Sequence, residues 1–454
     1  IMSSDWSSDV CSSDLLLLGL AAETPTESNA DMPNRPFDVT IVSRGEFYGF
    51  FLLSLVGAML CVSAGDLIWL FLALELTSLP TYVMVAISRE KIEAPEAGVK
   101  YFFLGAFAAA IFLYGFALMY GATGTTMFTP LGGDELIGIT KVFAEQGINT
   151  LGLLGLLLAI AGIAFKIAAV PMHVYAADVY QGAATPVTAF LAFVPKTAGF
   201  IALLAVLATV GWPLDAHGMY GEAIVWLLWV MAVATMFLGN TMALRQTNVK
   251  RVLAYSSIAH TGYMLVGVVA GPVGEGGQPF VRNGIAAVLF YLVIYGIMNA
   301  GAFGVLGILK SKGEEAETYD DLAGLARRHP TLAAVMAVCV FALAGLPPII
   351  GFWGKLYLVG AAISAGHIWL VVLLVIASAI GAVYYLRIIA ACFLPAANES
   401  TEQRHAPVRY VAAVAAAVLV IVLSIGTSWL LQASHNAAVW PTPTASSFAA
   451  VDAN

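Results

Sequence analysis

Charge is scarce in this chain. Asp, Glu, Lys and Arg supply 11% of its 454 residues, less than half the share usual for a soluble protein. The net charge of −8 is spread over connecting segments and says little about nucleic acid. Cysteine is scarce too. Cys11, Cys61, Cys339 and Cys392 lie far apart, three of them in apolar stretches. With no CxxC and no Cys/His spacing, disulfides, iron–sulfur clusters and structural zinc have no support. No GxGxxG or Walker loop stands between a strand and a helix signal, so nothing points to a bound nucleotide.

Apolar residues are abundant instead, at 60%. They recur in runs of about 20 residues, long enough to cross a bilayer as helices. The runs do not alternate as barrel strands do. The expected fold is therefore an all-α polytopic membrane protein. Eleven segments can be drawn, at 47–64, 66–87, 99–120, 150–175, 184–210, 222–244, 252–271, 284–309, 331–365, 368–394 and 407–432. Pro171 interrupts the fourth, and Gly345-Leu346-Pro347-Pro348 interrupts the ninth. A proline removes a backbone donor and frees a carbonyl, so both segments are predicted to be discontinuous helices. Each broken segment is the fourth of five. Five is odd, so the second set starts on the opposite side of the membrane. That order predicts inverted five-helix repeats over 47–210 and 211–394, followed by a last helix and tail over 395–454. Ion transporters built this way place their sites at the broken helices.

The first 46 residues stand apart. SSD occurs three times between Ser3 and Leu15, with no charged n-region and no cleavage signature. The apolar run 15–22 is too short to span. The stretch reads as a partly non-native leader joined to a truncated chain, with a natural disordered leader as the alternative. Basic residues favour one set of connections: Arg89, Lys91 and Lys100; Arg245, Lys250 and Arg251; Lys310, Lys312, Arg327 and Arg328; Arg404 and Arg409. The opposite connections hold only Lys141 and Arg282. Such asymmetry places the basic side in the cytoplasm and the C-terminal tail outside. Tyr319–Arg328 is predicted to be a short interfacial helix.

Four charges lie alone inside the apolar segments. Glu75 is the only one between Asp66 and Arg89, Lys166 between Glu145 and Asp178, Lys196 between Asp178 and Asp215, and Lys355 between Arg328 and Arg387. Each costs roughly 2.5–3.5 kcal/mol on insertion scales, and intramembrane charges mark ion or proton paths. A structural ion pair, Glu75 with Lys166, is the alternative, although a buried pair is weak evidence for stability. Burial lowers an amine's proton affinity and a nearby carboxylate raises it, so a carboxylate that moves can load and unload a buried lysine. A sodium path would want oxygen ligands, which a lysine-rich set lacks. His260, in YSSIAH, titrates near neutral pH and suits a relay; it could equally be a core histidine bonded to a hydroxyl. His173 follows the Pro171 break. Asp178, Tyr180 and Gln181 read equally as caps of that loop. Lys250 and Arg251 read as topology determinants, and Arg387 as a charge that snorkels.

At these residues the chain resembles a known family. FKIAAVPMHVYAADVYQGAATPVTAFLAFVPKTAGF (165–200), NVKRVLAYSSIAHTGYMLVGV (248–268) and LAGLPPIIGFWGKLYL (343–358) are similar to subunit N of bacterial proton-pumping NADH:quinone oxidoreductase, respiratory complex I. The wider family includes the other antiporter-like subunits and the Mrp-type cation/proton antiporters. Lys355 and VYQGAATPVTAF favour subunit N; Ala177-Asp178 departs from the family's usual Pro-Asp. The resemblance implies a fourteen-helix fold that lacks its first three helices here. It implies that Glu75 tunes Lys166, that Lys196 is the next lysine of a central polar axis, that His260 lies in that axis, and that Lys355 connects it to one face. It also implies an inner-membrane location and partner membrane subunits. NADH, FMN, iron–sulfur clusters and quinone would be on partner subunits, with no metal, cofactor or redox centre on this chain. A self-standing or Mrp-type antiporter is the second reading, and a structural scaffold the third. The four isolated charges speak against a scaffold.

Overall fold

The computed structural model describes residues 17, 19–20, 39–89, 91–128, 138–210, 222–272, 283–311, 314–394, 401–404 and 406–438. Its elements are α1 (Val39–Val62), α2 (Leu67–Ile87), α3 (Glu93–Thr123), α4 (Ile139–Gln146), α5 (Thr150–Lys166), α6 (Ala176–Gly182), α7 (Thr185–Val210), α8 (Glu222–Leu244), α9 (Val249–Ala270), α10 (Gly284–Ile308), β1 (Leu309–Ser311), β2 (Glu314–Glu315), α11 (Leu325–Arg328), α12 (Pro330–Ala344), α13 (Ile350–Ser364), α14 (Ile368–Phe393), β3 (Thr401–Gln403), α15 (Pro407–Ile425) and α16 (Thr427–Ala437). Among the described residues nine helices are long and apolar enough to cross a membrane, and α5, α12 and α13 are shorter apolar helices. The chain is a multi-pass, all-α membrane protein.

Helix starts follow local chemistry. Asp66 accepts from Trp69 N at 2.8 Å, Asn149 from Gly152 N at 2.8 Å, Asn248 from Arg251 N at 3.1 Å and Asn283 from Ile285 N at 2.9 Å. Each side chain satisfies a donor that the first turn leaves open. Helices α7, α9 and α10 are buried along their whole apolar length, whereas α1, α3, α14 and α15 are buried over a third of theirs. The latter turn a broad apolar face outward, as lipid contact requires. Packing between α3 and α5 is close enough that a Cβ at Gly115 would meet Ala159 N at 2.6 Å.

Several boundaries differ from the sequence reading. Helix α1 begins at Val39, inside the stretch read as a leader. Leu17 and Leu20 are buried there, and residues 1–16, 18 and 21–38 lie outside the described set. The last apolar segment is two helices, α15 and α16, meeting at Gly426. Only Leu325–Arg328 of the expected interfacial helix is helical; turns precede it. A small antiparallel sheet, in the order β2-β1-β3, was not foreseen. Its strands are two or three residues long, too short for a period-2 pattern to show.

Candidate functional site: a buried polar file

The two breaks are where the chemistry gathers. Helix α5 stops at Lys166, and residues 167–175 form turns before α6. The helix therefore ends before Pro171 rather than at it. A proline ring clashes with the carbonyl four residues back, here Ile167, so the ladder cannot continue. The loosened backbone finds other partners. Thr261 Oγ1 donates to Ile167 O at 2.7 Å, Val170 N donates to Thr235 Oγ1 at 3.0 Å, and Tyr175 OH donates to Phe165 O at 2.9 Å. In the second break α12 ends at Ala344 and Gly345 caps it with φ +80°. Pro347 and Pro348 follow, and α13 resumes at Ile350, whose N–H donates to Ser424 Oγ at 2.8 Å. His173 sits half-buried in the first set of turns.

Lys166, at the end of α5, faces α2. Its Nζ donates to Glu75 Oε1 at 2.8 Å and to Ser78 Oγ at 2.7 Å. The side chains are 3% and 16% exposed, so both groups of the pair are withdrawn from the surroundings. The pair considered as a structural alternative is thus formed. A small cavity lies beyond it, with Lys166, Lys196, Tyr101, Tyr175, Tyr180 and Pro195 among its lining residues. The space open to a water's centre is about 10 Å³, close to the least that admits one water. Pro195 stands inside α7 and leaves the Leu191 carbonyl without its helical donor; both residues line the cavity.

Lys196 is 2% exposed. Its Nζ donates to Ser257 O at 2.6 Å and also to Ser257 Oγ, and it lies 5.3 Å from the Tyr295 ring centroid. Ser257 Oγ is 3.3 Å from Tyr180 OH. His260 also packs against the Tyr295 ring, with centroids 5.0 Å apart. His260 Nδ1 is 2.8 Å from Tyr291 OH and Nε2 is 2.8 Å from Tyr385 OH. A neutral imidazole has one donor and one acceptor nitrogen, so one tyrosine gives a hydrogen bond and the other takes one. Tyr385 OH also bonds Ser256 Oγ. The file ends at Lys355, whose Nζ donates to the freed Ala344 O at 2.7 Å and to Ser378 Oγ at 2.8 Å. It lies 4.9 Å from the Tyr263 ring centroid. Among the described residues neither Lys196 nor Lys355 has a carboxylate partner.

Apart from Tyr180, read as a cap of its loop, the hydroxyl partners were not singled out from sequence. Ser256 and Ser257 carry the one visible signal: they precede His260 by four and three residues, which puts all three on one side of a helix. Around the site, Arg251 Nη1 donates to Asp178 Oδ1 at 2.7 Å and to Gln181 Oε1 at 2.9 Å, so Asp178 and Gln181 do hold the loop. Lys250, read as a topology determinant, also has partners inside the protein. It is fully buried and donates to Ala183 O at 2.7 Å and Glu315 Oε2 at 3.1 Å. Arg387 rests 4.2 Å from the Tyr319 ring centroid.

The profile of the family described as NADH:quinone oxidoreductase/Mrp antiporter, transmembrane, matches residues 64–381. The chain belongs to this NADH:quinone oxidoreductase/Mrp antiporter family. A relative named NADH-quinone oxidoreductase subunit N, from Trichlorobacter lovleyi, is 46% identical over 349 residues, 76% of this chain and 67% of the relative. The relative of the same name from Rhodospirillum rubrum is 41% identical over 395 residues, 87% of this chain and 77% of the relative. Among solved structures, a chain of respiratory complex I from Thermus thermophilus with bound aureothin has a TM-score of 0.74 at 33% identity, covering 95% of this chain and 86% of that one. A chain of the Mrp complex from Dietzia has a TM-score of 0.77 at 23% identity, covering 96% and 83%; that likeness shows the antiporter-family fold alone.

Proposed function

We propose that the chain is the N-type membrane-arm subunit of a redox-driven proton pump, carrying protons while partner subunits oxidise NADH and reduce quinone. In this reading FMN, iron–sulfur clusters and quinone belong to those partners, and the chain meets them through other antiporter-like membrane subunits. The relatives' printed name, NADH-quinone oxidoreductase subunit N, supports it. The observation that carries it is the buried file Glu75, Lys166, Lys196, His260 and Lys355, each linked to the next by hydroxyls, rings or a cavity.

The proton path follows from what holds each charge. With the Glu75–Lys166 pair closed at 2.8 Å, the proton stays on Lys166. Charge displaced along the membrane arm by quinone reduction opens the pair, and Lys166 passes its proton across the small cavity to Lys196. Ser257, then His260 between its two tyrosines, hands it toward Lys355, which releases it outward. A proton moved against 100 mV needs about 2.3 kcal/mol, roughly the effect of two pKa units. A second reading, an Mrp-type cation/proton antiporter subunit, draws on the fold likeness to the Dietzia chain. One carboxylate among three lysines is a poor oxygen cage for a hard cation, so the proton reading is preferred.

In this reading the basic connections face the bacterial cytoplasm and the C-terminus lies outside; the asymmetry of Lys and Arg between the two sets of connections supports it. The test of the path is proton transport per NADH oxidised by the reconstituted complex. Lys196→Ala should lower that ratio; a complex that pumps as before with Ala at 196 would sink the route. Co-migration of the tagged chain with NADH-oxidising activity on a native gel tests membership of the complex.

A further inference from the structure

The corner between α6 and α7 separates Lys166 from Lys196, and a buried charge cluster grips it. Arg89, just past the end of α2, donates from Nε to Gly182 O at 2.8 Å and from Nη2 to Gln181 O. Lys250, in the first turn of α9, donates to Ala183 O at 2.7 Å. Two cations thus sit on the carbonyls where α6 ends, the end at which positive charge is favoured. On the far side of the corner, Thr185 opens α7. Its N–H donates to Glu315 Oε1 at 3.1 Å and its Oγ1 donates to Glu315 Oε2 at 2.7 Å. A carboxylate there meets the positive end of α7.

Two glutamates bind the cations together. Arg89 lies 2.8 Å from Glu317 and 3.8 Å from Glu315; Lys250 lies 3.1 Å from Glu315 and 3.4 Å from Glu317. Glu317 is itself tied to α9, accepting from Asn248 Nδ2 at 2.9 Å, while its backbone carbonyl accepts from Val249 N at 2.6 Å. Lys250 is fully buried, and a buried charge of this kind is tolerated only with its partners in place. The three segments that meet here are those that carry the path: α2 bears Glu75, the α6–α7 corner lies between Lys166 and Lys196, and α9 bears Ser257 and His260.

Resting on the proton-path reading, we infer that Arg89 and Lys250, held by Glu315 and Glu317, are positioning residues for proton transfer between Lys166 and Lys196. They tie the helix that carries Glu75 to the corner from which α7, the helix of Lys196, departs, and to α9, which carries Ser257. A shift of α2 that opens the Glu75–Lys166 pair is transmitted through Arg89 to the corner.

The test uses the assembled complex in proteoliposomes, with NADH oxidation and proton transport read on the same sample. Amide hydrogen exchange of peptides covering 176–188 is measured alongside. Arg89→Ala should lose the same share of protons per NADH as Lys196→Ala and should speed exchange at the corner. Arg89→Lys, which keeps the charge, should recover part of the ratio. If Arg89→Ala fails to assemble, Glu317→Gln keeps the shape and removes one of the two charges that hold both cations, and losses in the same direction are expected. A normal proton-to-NADH ratio in the assembled Arg89 or Glu317 variant, with Lys196→Ala lowered, overturns the positioning role and leaves the path intact. A normal ratio in Lys196→Ala overturns the path and the positioning role with it.

Discussion

Two lysines share one small cavity and differ in what stabilises their charge. Lys166 has the Glu75 carboxylate at 2.8 Å; Lys196 has the two oxygens of Ser257. In the proposed path that asymmetry gives a proton a place to wait and a place to go. The lone charges stand out in sequence because an isolated lysine in an apolar helix is costly. Their partners do not, because serine and tyrosine are ordinary in such helices. Lys355 shows a different kind of dependence. It reaches the Ala344 carbonyl across Gly345, where a Cβ would lie 2.8 Å from Lys355 Cδ. Gly345 also holds φ +80°, which costs a residue with a side chain roughly 1–2 kcal/mol. Gly345→Ala should therefore lower the melting temperature of the solubilised complex and weaken proton transport together. An unchanged melt with normal transport would show that the break does not need glycine.

At the scale of elements, prolines in the sequence marked both breaks, and the structure moved their edges. Helix α5 stops at Lys166 rather than at Pro171, because the ring's clash reaches back four residues. The charge cluster joins whole elements too: α2, the α6–α7 corner, α9 and β2. Burial pushes the Glu315 carboxyl pKa up, but Lys250, Thr185 and Arg89 outweigh it and bring the group from its ordinary 4.5 down to about 2. A depressed folded value means that the stabilisation is complete above the unfolded value and is lost as pH falls through the folded one. The window here runs from 4.5 down to about 2, and the difference corresponds to roughly 3 kcal/mol. Glu315→Gln should melt below the parent protein at neutral pH, and the gap should close as pH is lowered through that window. A gap that stays constant with pH would mean that the Glu315 charge contributes nothing to the clamp.

For the whole molecule, the wholly buried α7, α9 and α10 form a centre around which the partly exposed helices pack. The polar file runs through that centre, so it is shielded from lipid along most of its length. The small sheet joins the end of α10 to the segment before α15, and Glu315 of the clamp lies in its outer strand β2. The arrangement of basic connections makes one statement about the assembled molecule that a simple measurement can check. A protease-cleavable tag after the last residue should be removed from intact spheroplasts by added protease; protection until the membrane is broken would reverse the orientation.

Composition and run length were enough to declare a helical membrane protein, since the bilayer sets both the apolar content and the helix length that a span needs. Isolated charges were enough to name Glu75, Lys166, Lys196 and Lys355, since their cost in lipid is local and visible one residue at a time. What packing alone decided is who meets whom: Lys196 with Ser257, His260 with Tyr291 and Tyr385, Lys355 with the Ala344 carbonyl. It also gave Lys250, a basic residue of one of the connections, a fully buried place. Those contacts join residues far apart in the chain, and nothing in a linear order of apolar runs says which faces of the helices are turned toward one another.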